Sequence, residues 1–150
     1  MARSGGDSTL EDEPMTDRLV LQLRARPADV SQARHAVASF LADRGVSSMV
    51  VDDMELVTSE LVTNAVVHGR RGSIGLEVDT EGEIVVTVSN LGPAALIPPI
   101  DQWRAASPLA PSGRGLGIVR RLCDDVAVLE IDDTTVVVCR RRIPDAGGTR

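Results

Sequence analysis

The hydrophobic period changes along this chain in a fixed order, and that order constrains the fold more than any other feature. Residues 18–25, RLVLQLRA, alternate apolar and polar positions with the two-residue period of a half-buried strand, and Pro27 ends the run. The next stretch, ADVSQARHAVASFLADRG, brings Val30, Ala33, Val37, Phe40 and Leu41 onto one stripe at helical spacing, with Gly45 as its stop. A longer helical run follows from about Ser48 to His68, with Met54, Val57, Leu61 and Ala65 toward the core. Period two then returns twice, in GSIGLEVDT and GEIVVTVSN, joined by a hairpin turn at Thr80-Glu81-Gly82. A long Pro- and Ala-rich loop is expected from Leu91 to Ser112, and loops of that length inside a compact domain are usually functional. RGLGIVRRLCDD predicts a third helix opening in a Gly-rich turn, and VAVLEID and TTVVVCR form a closing hairpin about Asp132-Asp133. This order predicts an α/β two-layer sandwich, with helices on one face of a mainly antiparallel sheet.

At 150 residues the chain fits one domain, placed at residues 17–142, between a polar, disordered tail at 1–16 and a flexible tail at 143–150. With no Tyr, one Phe and one Trp, the core must be filled by Val, Leu, Ile and Ala. Every basic residue is Arg; the absence of Lys excludes a P-loop, which needs one to reach the phosphates. A net charge of −6 and the lack of stacking aromatics argue against nucleic-acid binding and favour a protein partner with a basic face. No long apolar run or signal peptide is present, so no membrane association is expected and the chain is placed in the cytoplasm. Cys123 and Cys139 lie on separate elements without metal-ligand spacing and are expected as reduced thiols.

Three short motifs carry candidate chemistry. In SELVTNAVVHG, Glu60, Asn64 and His68 are spaced four apart, and four helical steps advance only ~40° around the axis, so all three share one slanting face. A carboxylate and an amide one turn apart can hold a hard cation or orient a water. Taken alone, E-x-x-x-N is more often a solvated helix face. In SGRGLGIV, glycines at 113, 115 and 117 precede a helix, where backbone N–H groups and the helix dipole favour an anion such as a phosphate. Arg114 can add a charge-assisted donor. The third motif, Asn90-Leu91-Gly92-Pro93-Ala94, ends a greasy strand with residues that are also ordinary in turns.

In combination and in this order, the three motifs resemble the GHKL (Bergerat-fold) ATP-binding family: a helical N-box, a strand ending in D-x-G-x-G, a lid, and a Gly-rich box opening a helix. The wording S-E-L-V-T-N-A-V-x-H-G is most similar to its anti-sigma factor serine/threonine kinase branch, of the type common in actinobacteria, over most of residues 17–140. The resemblance implies ATP and Mg²⁺ as cofactors. Asn64 matches the asparagine that coordinates Mg²⁺ bridging the phosphates, and Glu60 the acidic residue that activates the attacking hydroxyl or water. Gly113, Arg114, Gly115, Leu116 and Gly117 match the box that closes over the phosphates, with Leu96–Pro111 as the lid. Asn90 and Gly92 match the adenine-side box, with two departures: Asn90 stands where the family has aspartate, and Ala94 replaces the second glycine. His68 is frequent in this branch and suits the end of a helix, where a cationic imidazole is favoured.

The resemblance implies an anti-sigma-factor-like regulator that binds a sigma factor. It would use ATP·Mg²⁺ to phosphorylate Ser or Thr of an anti-anti-sigma (STAS-domain) protein. Homodimers are usual in that branch. The alternative is a non-catalytic module that sequesters a partner with weak or no ATP binding, which the changes at Asn90 and Ala94 favour. A histidine kinase catalytic domain fits less well. His35 lacks the acidic residue that follows a phospho-acceptor histidine, and no dimerisation helices precede the domain.

Overall fold

The computed structural model describes residues 18–68, 72–92, 97, 99–102 and 114–144. Among these, strands β1 (Arg18–Arg24), β2 (Ser73–Asp79), β3 (Glu83–Leu91), β4 (Asp125–Ile131) and β5 (Thr134–Arg142) form one sheet. Helices α1 (Pro27–Asp43), α2 (Ser48–His68) and α3 (Arg114–Leu122) cover one of its faces. The strand order is β1-β2-β3-β5-β4, and every pairing is antiparallel. The two-layer α/β sandwich expected from periodicity is the one observed.

Local chemistry sets the element ends. Ser47 caps α2, its side-chain oxygen accepting the Val50 N–H at 3.4 Å. Helix α1 opens on Pro27, whose missing N–H costs nothing there. The buried Asp29 carboxylate accepts the Arg24 N–H at 2.6 Å and so binds β1 to the helix start. Gly45, at φ +79°, closes α1: its N–H reaches the Ala42 carbonyl while the Val46 N–H reaches that of Leu41, a Schellman turn. The β4–β5 turn places Asp132 and Asp133 at φ 50° and 65°, the pair of positive angles a two-residue hairpin of this hand demands.

Alternation along the strands divides the sheet. Leu23, Ile74, Leu76, Val78, Ile84, Val86, Val88, Val137 and Cys139 point into the helical layer and are buried against Ala33, Val37, Leu41, Met54, Val57, Leu61 and Ala65. Each Val, Leu, Ile and Met among them contributes about 1.5–3 kcal/mol relative to exposure, which lets a core almost without aromatics hold the domain. Asp53 of α2 and Arg141 of β5 pair at 3.0 Å at the end of the layer away from the β4–β5 turn.

The segment after β3 differs from the expected loop. Leu91 still belongs to the strand, and Ile100–Gln102 form a short 3₁₀ turn. Ile97 and Ile100 pack against the core, because apolar side chains placed beside a covered sheet are buried with it. The tails at 1–16 and 145–150 lie outside the described residues. Ile143 packs against the core just beyond β5.

Candidate functional site

Asn64 lies in the last turns of α2, which ends at His68, a few residues before β2 begins. The second residue of β2, Ile74, pairs with Asn90 near the end of β3. This short connection brings the asparagine end of α2 and the asparagine end of β3 to the same end of the sandwich. By strand parity Asn90 points to the same side as the buried Val86 and Val88, toward the helical layer. Glu60 and Asn64 are half-buried, between the core stripe and solvent, whereas His68 is exposed in the last turn.

Helix α3 meets Glu60 at its first turn. It packs along α2, and the Glu60 side chain lies directly against Gly115 in its first turn. A Cβ at position 115 would stand 2.8 Å from Glu60 Cδ and 3.4 Å from Cγ, overlapping the carboxylate oxygen. Any larger residue there would displace Glu60. The first four N–H groups of an α-helix have no intrahelical acceptor, so this carboxylate sits where the helix is most electropositive.

The described structure moves the glycines relative to their expected place. Helix α3 already begins at Arg114, so Gly115 and Gly117 belong to its first turn rather than preceding it. Leu116 is 4% exposed and anchors that turn in the core. Gly113, the Arg114 side chain, Ala94 and most of the lid Leu96–Pro111 lie outside the described residues. Where the lid is described, the Arg120 guanidinium of α3 donates to the Ile100 carbonyl at 3.2 Å and ties the segment to the helix.

Around Asn90 the hydrogen bonds have a definite sense. Its amide nitrogen donates to the Leu91 carbonyl at 3.1 Å, which commits the side-chain oxygen to the acceptor role. Gly92, at φ +129°, is a position for glycine alone. Its N–H donates to the Asp133 carbonyl at 2.9 Å, and its own carbonyl accepts from the Thr135 hydroxyl at 2.6 Å. Thr135 is buried and directly opposite Asn90 on β5. Sequence reasoning missed it. A polar residue at an inward position of TTVVVCR was its only signal, and parity identifies an inward position only once the register is known.

Residues 23–140 match the family model of the histidine kinase-like ATPase domain. Among curated relatives, the serine-protein kinase RsbW of Listeria monocytogenes is 28% identical over 84% of this chain and 88% of its own length. The anti-sigma F factor of Geobacillus kaustophilus is 31% identical over 86% of this chain and 94% of its own length. Two solved structures share the fold at lower identity. The SiaB-SiaC complex from Pseudomonas aeruginosa aligns with a TM-score of 0.68 at 14% identity, covering 91% of this chain and 96% of that one. The RsbU and RsbW domains of Rv1364c from Mycobacterium tuberculosis align with a TM-score of 0.61 at 19% identity, covering 85% of this chain and 33% of that longer one. Together, the sandwich that gathers Glu60, Asn64, Asn90 and the first turn of α3 at one end, the domain match and these sequence relatives show that the chain belongs to the histidine kinase-like ATPase domain family, as a homologue of its RsbW and anti-sigma F members.

Proposed function

We propose that this chain is an anti-sigma-factor-like regulator that binds ATP·Mg²⁺ and phosphorylates a Ser or Thr of a STAS-domain anti-anti-sigma partner, and that it also holds a sigma factor. The observation that carries the reading is the carboxylate of Glu60 lying against Gly115. It brings an acid–base group to the N-terminus of a helix, where a phosphate is favoured, and the missing Cβ at position 115 is what leaves room for that carboxylate. Phosphoryl transfer asks mainly for positioning and charge neutralisation, and ATP with Mg²⁺ would supply the phosphoryl group and offset its developing charge. Asn64 offers an amide oxygen to the metal. Among the described residues no cluster of three His, Cys, Asp or Glu side chains could hold an ion by itself. Mg²⁺ keeps several of its waters beside substrate phosphates and takes few protein ligands, so one protein oxygen would suffice. The amides of the first turn of α3 would orient the phosphates, Glu60 would accept the proton of the attacking hydroxyl, and the Asn90 oxygen would accept from the adenine amine.

The neutral carboxamide at Asn90 favours the second reading, a module that sequesters its partner with weak or no ATP use. Calorimetric titration with ATP, with and without Mg²⁺, separates the two when run beside Asn64→Ala and followed by transfer from labelled ATP to a STAS-domain protein. Mg²⁺-dependent binding that the variant loses, followed by transfer, supports the kinase. Absence of heat from folded protein at millimolar nucleotide supports sequestration. Loss of turnover in Glu60→Gln with nucleotide affinity retained supports Glu60 as the base; equal losses in both remove that role.

A further inference from the structure

The two cysteines, separate in sequence, meet in the fold. Helix α3 ends at Leu122, and the chain on either side of Cys123 is fastened to β5. The Arg141 guanidinium donates to the Leu122 carbonyl at 2.9 Å, and the Asp124 N–H donates to the Arg140 carbonyl at 2.7 Å. The Asp124 carboxylate in turn accepts the Arg142 N–H at 2.6 Å. Residues 122–124 are therefore held beside residues 140–142, immediately next to Cys139. Cys139 points inward from β5, paired with Val86 on one side and Val126 on the other, and is 0% exposed. Cys123 packs on the same core cluster but is only half-buried. The Cys123 side chain is the neighbouring group that acts most on the Cys139 thiol.

We propose that Cys123 and Cys139 form an oxidisable pair that closes reversibly into an intramolecular disulfide, with Cys123 as the residue oxidised first. The neighbouring Cys123 side chain, followed by burial, holds the Cys139 thiol well above the ordinary cysteine range, so the half-buried Cys123 is the one that meets the oxidant first. The oxidant is a hydroperoxide, and with hydrogen peroxide the balance is complete. The Cys123 sulfur attacks one peroxide oxygen; an S–O bond forms, the O–O bond breaks, and the thiol proton leaves with the departing oxygen as water. The Cys139 sulfur then displaces the hydroxyl from Cys123. The S–S bond replaces the S–O bond, and the Cys139 proton leaves with the hydroxyl as a second water. Two sulfurs give up two electrons in all, and the peroxide is reduced. The product closes a loop of about 15 residues, a length at which a cross-link constrains the unfolded chain appreciably. It fastens the end of the helix that carries Gly115 to β5, an interior strand of the sheet.

The test uses the full chain, reduced, freed of reductant and exposed to hydrogen peroxide, then read by intact mass, thiol labelling in denaturant and a non-reducing peptide map. The expected result is loss of both thiols together, a mass lower by two hydrogen atoms, a Cys123–Cys139 cross-linked peptide, and full reversal by dithiothreitol. In Cys123→Ser the buried Cys139 keeps its thiol at the same exposure. In Cys139→Ala, Cys123 stops at the sulfenic acid and is captured by dimedone; if that variant does not fold, the wild-type map decides alone. The proposal is overturned by a sulfinic acid at Cys123 beside an intact Cys139 thiol, by a disulfide-linked dimer through Cys123, or by persistence of both thiols. None of these readouts depends on nucleotide binding.

Discussion

Replacing Gly115 by alanine tests the contact on which the proposed site rests. The new Cβ would meet three atoms of one side chain, with Cδ of Glu60 at 2.8 Å, Cγ at 3.4 Å and the carboxylate oxygen in overlap. Because the obstruction is the far end of a flexible side chain, Glu60 yields and the helix stays. Alanine in place of glycine inside a helix is worth about 1 kcal/mol of stability. Against it stand the loss of the carboxylate from the electropositive end of α3, about 0.3–1 kcal/mol, and an off-rotamer Glu60, about 0.5–1.5 kcal/mol. With Glu60 present the costs match or exceed the gain, for a net effect between about neutral and about 1.5 kcal/mol destabilising. With Glu60→Ala already made, nothing obstructs the methyl group and the full gain of about 1 kcal/mol appears. Urea unfolding of the wild type, both single variants and the double variant closes the cycle. With a urea m-value of about 2 kcal/mol/M, Gly115→Ala raises the unfolding midpoint by about 0.5 M in the Glu60→Ala background, whereas in the wild type it leaves the midpoint unchanged or lowers it by up to about 0.75 M. Equal shifts in the two backgrounds would refute the contact on which the proposed site rests.

Asn90→Asp restores a charge-assisted acceptor, a gain of about 1–2 kcal/mol. ATP should bind ~5- to 30-fold more tightly by calorimetry, and an unchanged affinity would place Asn90 outside the pocket. Thr135→Val keeps the shape but strips the Gly92 carbonyl of its 2.6 Å donor. It should cost about 1–3 kcal/mol in chemical denaturation and weaken nucleotide binding by loosening the Asn90–Gly92 segment; a midpoint within error of wild type would count against that anchoring role. Above about pH 9 the unfolded chain releases the Cys139 proton while the folded chain retains it, so stability present below that pH falls as pH rises, by up to about 1.4 kcal/mol per pH unit. The chain has no Lys and no Tyr to titrate in that window. The slope should diminish in Cys139→Ala, and its persistence there would assign it elsewhere.

The elements of this fold were legible because they depend on the chain's own local pattern. Alternation in GSIGLEVDT and TTVVVCR, and helical spacing from Met54 to Ala65, follow from strand and helix geometry whatever the partners are. The shared helix face of Glu60 and Asn64 is legible for the same reason. Pairing between distant segments is not local, and only the tertiary structure decided it. No residue of the β4–β5 hairpin states that β5, rather than β4, will lie against β3. Yet that choice sets Thr135 opposite Asn90 and lays Cys139 beside the end of α3. The start of α3 at Arg114 likewise depends on Leu116 finding the core and on Gly115 leaving room for a carboxylate from another helix. The sequence determined which groups were available and on which face of each element they stand. Burial of one face of a sheet against three helices determined which of them meet, because it couples residues through space rather than along the chain.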